Sequence, residues 1–63
     1  MRNKDQRQLM LAAALALREV AYLLKELEDT TQKDSVLWQS ARAMRANVSY
    51  LINQADDLET ALR

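Results

Sequence analysis

From residue 37 to residue 62 the chain carries Leu37, Ala41, Met44, Val48, Leu51, Ala55, Leu58 and Leu62 at spacings that alternate four and three. An apolar repeat averaging 3.5 residues holds one stripe of an α-helix against another helix along its whole length. An earlier segment repeats the arrangement with Leu9, Ala13, Ala16, Val20, Leu23 and Leu27, and beside them Met10, Ala14, Leu17, Ala21 and Leu24 form a second stripe. With successive residues turned ~100°, the two stripes cover about half of the helix circumference. Leu11, Leu15 and Tyr22 lie on the far side of this first helix, between Arg18 and Lys25 on one flank and Glu19 and Glu26 on the other. The pattern predicts an all-α fold, a coiled-coil-like antiparallel two-helix hairpin formed by residues 1–63 as one unit. Helix one is expected over about 6–28 and helix two over about 34–61. The two strict repeats, Leu9 to Leu27 and Leu37 to Leu62, are the expected seam, with Trp38 and Ile52 along one shoulder of helix two.

The break between the helices is expected at about 29–34, within the segment EDTTQKDS (28–35). Two successive threonines lower helix propensity, Thr31 and Asp34 have the spacing of a weak capping box, and Asp34 and Ser35 are each acceptable N-caps. The segment has no glycine, the commonest helix C-cap, so one continuous helix is the alternative. The hairpin is favoured because both repeats run up to this segment and stop, leaving a connection of about 3 to 7 residues, ordinary between antiparallel helices. The polar opening, 1–8, is expected to fray.

A hairpin closes with one stripe per helix, so the apolar surplus of helix one has to be covered from outside or left in water. Leu11, Leu15 and Tyr22, together with Val36 and Tyr50 from a thin stripe on helix two, are the expected partner-binding surface. Length points the same way: cores of fewer than about 70–80 residues supply only a few kcal/mol and normally need a disulfide, a metal or another subunit. The fold is therefore expected to be completed by a partner or by dimerisation.

Composition removes most other functions. The 63 residues include no Gly, Pro, Cys, His or Phe. Zinc, haem and iron–sulfur sites lose their usual ligands, nucleophilic catalysis loses Cys and His, and phosphate loops lose their glycine. Neither an enzyme nor a cofactor is expected. Nine basic residues balance nine acidic ones, so no global field draws the chain to nucleic acid or anionic lipid. The run MRNKDQRQLMLAAALAL imitates an export signal, but it keeps one helical register on to Leu27 and is too short for a membrane span. Asn47-Val48-Ser49 matches a glycosylation triplet with Val48 on the seam. Arg42 and Arg45 read as a solvated flank, Trp38 and Tyr50 as helix-packing aromatics, and Asp56 and Asp57 as surface, since neighbours on a helix diverge by ~100°.

The entry to helix two, LWQSARAM (37–44), resembles the small E-type co-chaperones of type III secretion needle subunits, which carry an aromatic-Gln-Ser and a Q-A-R-A-L element at this place. The alternation of Val48, Leu51 and Ile52 and the acidic ending around Asp57 and Leu58 are also similar, so the likeness covers about half the chain. The chain differs in lacking glycine between its helices. The resemblance implies a cytoplasmic helical hairpin that pairs with a helical-repeat chaperone, the two keeping the needle subunit soluble before export. Two readings stand beside it: a homodimeric four-helix-bundle RNA-binding regulator of the plasmid copy-number type, using Arg18 and Lys25, and a structural or designed bundle without ligand.

Overall fold

The computed structural model describes residues 2–62 as two helices, α1 (Asn3–Thr30) and α2 (Val36–Ala61). They fold back on one another into a rod measuring 46 × 14 × 14 Å, with no strand among the described residues. The antiparallel hairpin is as the apolar periodicity predicts. α1 begins earlier than expected, at Asn3 rather than near residue 6. The polar opening contains no helix breaker, Asp5 suits the positive end of the helix dipole, and Arg7 is tied to α2 through Glu59. Met1 lies outside the described residues.

The break forms without glycine. Thr30 Oγ1 donates back to the Glu26 carbonyl at 2.9 Å within the last turn, and Thr31 Oγ1 donates at 2.5 Å to the Leu27 carbonyl, one of those that the end of α1 leaves without an ordinary helical partner. Thr31 then turns extended, and Asp34 supplies the left-handed step with φ 67°. Asp tolerates this region better than most side chains because its short polar group bonds locally. Ser35 follows as the N-cap of α2: its Oγ accepts from the Trp38 N–H at 3.2 Å, and Gln39 Nε2 donates to the Asp34 carbonyl at 3.2 Å. The alternative of one continuous helix is thereby excluded. Ser35→Ala is expected to cost about 1 kcal/mol and to lower Tm by roughly 4–8 °C in a thermal melt.

The seam differs from the expected one by one residue. α1 turns Met10, Ala14, Leu17, Ala21 and Leu24 toward α2, the second of the two expected stripes, and continues it with Arg7 and Glu28 at its ends. α2 answers with Trp38, Ala41, Val48, Ile52 and Ala55, together with Arg45 and Glu59. Ala14, Ala41 and Ala55 are 2%, 1% and 4% exposed, so the helices approach where side chains are smallest. Of the expected seam, Ala41, Val48, Ala55 and Leu62 face inward and Leu27 is half-buried. Leu9, Ala13, Ala16, Val20, Leu23, Leu37, Met44, Leu51 and Leu58 are exposed.

Charge explains the displacement. On α2, Ala41, Val48 and Ala55 fit either register, so the choice lies between the column Leu37, Met44, Leu51, Leu58 and the column Trp38, Arg45, Ile52, Glu59. The second brings Arg45 onto Glu28, through Nε to Oε2 and Nη2 to Oε1, the latter at 3.0 Å. It also brings Glu59 onto Arg7 at 2.7 Å. Glu28 and Glu59 are 7% and 5% exposed. Carboxylates this deeply covered are tolerated because each is paired with a guanidinium.

Candidate functional site

One side of the rod carries most of the large apolar residues that the seam leaves out. Relative to the seam, the expected α1 stripe and the Leu37, Met44, Leu51 and Leu58 column of the expected α2 stripe sit one residue earlier, a rotation of ~100°. The helix axes run in opposite directions, so the same rotation carries both stripes to the same side of the hairpin. A check lies on the opposite side: Arg18 and Asp56 each follow a seam residue by one, and they meet there across the two helices at 2.8 Å.

The face consists of four parallel columns. Beside the seam run Ala13, Val20 and Leu27 of α1 and Leu37, Met44, Leu51 and Leu58 of α2. Outside them run Leu9, Ala16 and Leu23 of α1 and Ser40, Asn47, Gln54 and Ala61 of α2. Leu9 is 57% exposed and Leu58 54%, at the same open end of the rod. No charged residue occupies any of these columns between residues 6 and 61. A surface of this length that is apolar along α1 and uncharged throughout is unlike a solvated helix flank, where charges interrupt single apolar residues.

The residues expected to bind a partner fall on two other surfaces. Leu15 and Tyr22 are exposed and Leu11 half-buried on the side that carries the Arg18–Asp56 bridge. Val36 and Tyr50 are exposed on the back of α2, where Gln54 donates to the Tyr50 hydroxyl at 3.2 Å. The structure therefore does not bring these five together. The continuous face is instead built from residues that the strict repeat assigns to the seam. Its signature in the sequence was the pairing of opposite charges, Arg7 with Glu59 and Glu28 with Arg45, in the two columns that do close.

Cations are largely engaged. Besides the two seam pairs, Arg18 holds both oxygens of Asp56, Lys25 reaches Asp29 at 3.3 Å, and the Arg42 guanidinium lies 5.2 Å from the centre of the Trp38 ring. Hydrogen bonding to Glu28 raises the Arg45 guanidinium above its ordinary value, against an opposing desolvation, with the charges of Glu28 and Asp29 adding to the rise. Asp56 and Glu59, acids near the negative end of α2, are thus compensated from α1. Among the described residues there is no pocket, no group of three carboxylates placed to hold a metal ion, and no helix long and apolar enough to cross a membrane. Comparison of the chain with protein families, curated proteins and solved structures gives no match.

Proposed function

We propose that the hairpin is a non-enzymatic helix-binding subunit whose charge-free face docks a helical protein, and that this protein is the helical-repeat chaperone of a type III secretion needle subunit. The uncharged face carries the reading. Exposed leucines at helical spacing on two adjacent helices match the ridges and grooves of another helix pair, and a prefolded hairpin adds them at little ordering cost. The resemblance over 37–58 supplies the identity of the partner. Within LWQSARAM, Trp38 and Ala41 pack in the seam while Leu37 and Met44 stand on the face, so the motif serves both surfaces. In this reading the complex works in the cytoplasm and holds the aggregation-prone helix of the needle subunit before export.

The test is co-expression with such a chaperone and its needle subunit. The native chain is expected to co-elute with both and to keep the needle subunit soluble. Leu23→Glu and Leu37→Glu place a charge on the face, and each should lower recovery of the complex about tenfold or more, as at an interface hot spot. Far-UV circular dichroism should be unchanged, because both positions are exposed in the hairpin. Undiminished recovery with both variants, or no complex with the native chain, overturns the reading. No observation favours an RNA regulator: Arg18 and Lys25, the cations it would use, are paired with Asp56 and Asp29.

A further inference from the structure

We infer that the same face binds a second copy of this chain, two hairpins stacking face to face with their turns at opposite ends to form an antiparallel four-helix bundle. The inference rests on the face assigned above to a partner, which the second copy occupies only while that partner is absent, and it does not depend on the partner's identity.

The angle between the surfaces is the first argument. In a four-helix bundle each helix has two neighbours at about right angles, one on either side of the direction to the bundle axis. Here the seam takes one of those directions and the uncharged columns, turned ~100° from it, take the other. Both helices satisfy this on the same side of the rod. A single hairpin laid on the face would therefore give every helix its second neighbour.

Symmetry is the second argument. The α1 stripe from Leu9 to Leu27 is centred on residue 18, and of the α2 column Leu37, Met44, Leu51 and Leu58 the last three are centred on Leu51, with Leu37 beyond them toward the turn. The cross-helix pairs Arg7–Glu59, Arg18–Asp56 and Glu28–Arg45 set the register of the hairpin, and they put residue 18 within about one helical turn of the height of Leu51. A single two-fold axis perpendicular to the rod thus passes through the middle of the α1 stripe and of Met44, Leu51 and Leu58, as a self-complementary interface requires.

The columns also choose between the two ways of stacking. With turns at opposite ends, α1 lies on α1 of the other copy: about an axis at residue 18, Leu9 comes level with Leu27 and Ala16 with Val20, so that apolar columns cover one another. The polar column of α2 then lies on itself, with Asn47 opposite Gln54, two side chains that each donate and accept. With turns at the same end, Leu9, Ala16 and Leu23 would lie against Ser40, Asn47 and Gln54, burying apolar against polar groups. The first arrangement is the matched one. The columns, about 27 Å long on α1 and about 36 Å on α2 at 1.5 Å per residue, offer across two helices roughly 500 Å² on each copy, or about 1,000 Å² in all, the level at which specific interfaces begin.

Sedimentation equilibrium from about 1 to 500 μM tests the state, and cysteine pairing tests the arrangement. The native chain is expected to sediment with twice its 7.3 kDa mass, and Leu51→Glu to sediment as a helical monomer. Leu51→Cys, beside its own copy at the axis, should oxidise to a disulfide-linked dimer in most of the protein. Leu15→Cys, on the opposite side, should not. A native monomer at the highest concentration overturns the inference, as does equal cross-linking through Leu15→Cys. Either result leaves the chaperone reading standing if the complex with chaperone and needle subunit still forms. A dimer that never yields that complex removes the chaperone reading alone.

Discussion

Leu24→Ala should unfold the hairpin at room temperature, or leave it so marginal that its melt begins there. Leu24 is the one buried large aliphatic side chain among the described residues, 8% exposed, in a core otherwise supplied by alanines, paired carboxylates and half-buried residues. Truncating a buried leucine costs about 2–5 kcal/mol, the upper part of the range applying where the surroundings cannot collapse into the gap. Two helices already held close by Ala14, Ala41 and Ala55 have little room to approach further. A chain of this size rarely holds more than about 3–5 kcal/mol in total, so one truncation consumes most of it. Urea titration at a few micromolar, followed by circular dichroism at 222 nm, checks the result. Leu15→Ala on the exposed flank is the control and should move the midpoint little, since surface substitutions commonly stay within about 0.5 kcal/mol. A Leu24→Ala protein as stable as the native chain would mean that the seam described here does not carry the fold.

How much of this could be read from the residues divides along a physical line. Periodicity specified two helices, the segment where they part and their antiparallel return, because a 3.5-residue repeat has meaning only on a helix that faces another. It did not specify rotation about the axis. On α1 two apolar stripes stand side by side, and on α2 Ala41, Val48 and Ala55 serve either choice, so the strict four-three repeat selects Leu37, Met44, Leu51 and Leu58 when the structure selects Trp38, Arg45, Ile52 and Glu59. The preference for the less greasy stripe is visible only when residues far apart in sequence are considered in pairs, Arg7 with Glu59 and Glu28 with Arg45. The choice of stripe also decides which apolar residues stand outside. Leucines assigned inward are those left outside, while Leu11, Leu15 and Tyr22 mark a narrower flank crossed by the Arg18–Asp56 bridge.

Replacing Glu28 and Arg45 together by leucine should leave the hairpin as stable as before or more so, yet loosen its choice of face. Breaking the pair from one side alone does the opposite. Glu28→Ala leaves a half-covered guanidinium without its carboxylate, and buried pairs broken in this way lose about 3–5 kcal/mol. Because the side chain of Arg45 is 35% exposed, water takes over much of what the carboxylate supplied, and a smaller loss of stability than that is expected. Removing both charges also removes both desolvation costs, and apolar replacements of buried ion pairs are commonly neutral or stabilising by about 1–4 kcal/mol. The double variant then has two stripes of similar apolar character on each helix, with only the Arg7–Glu59 pair to distinguish them. Rotation of the helices by one residue would put Leu37, Met44 and Leu51 inward and expose Trp38, which is now half-buried. Tryptophan emission reports this directly: in the native chain it should be blue-shifted relative to the unfolded chain, and in the double variant it should move toward red while helicity at 222 nm stays high. If the double variant keeps the native emission and side-chain dispersion, the small residues Ala14, Ala21, Ala41 and Ala55 fix the register by themselves. If the emission shifts, the buried carboxylates serve chiefly to keep the leucine face outside, where a second helical pair can reach it.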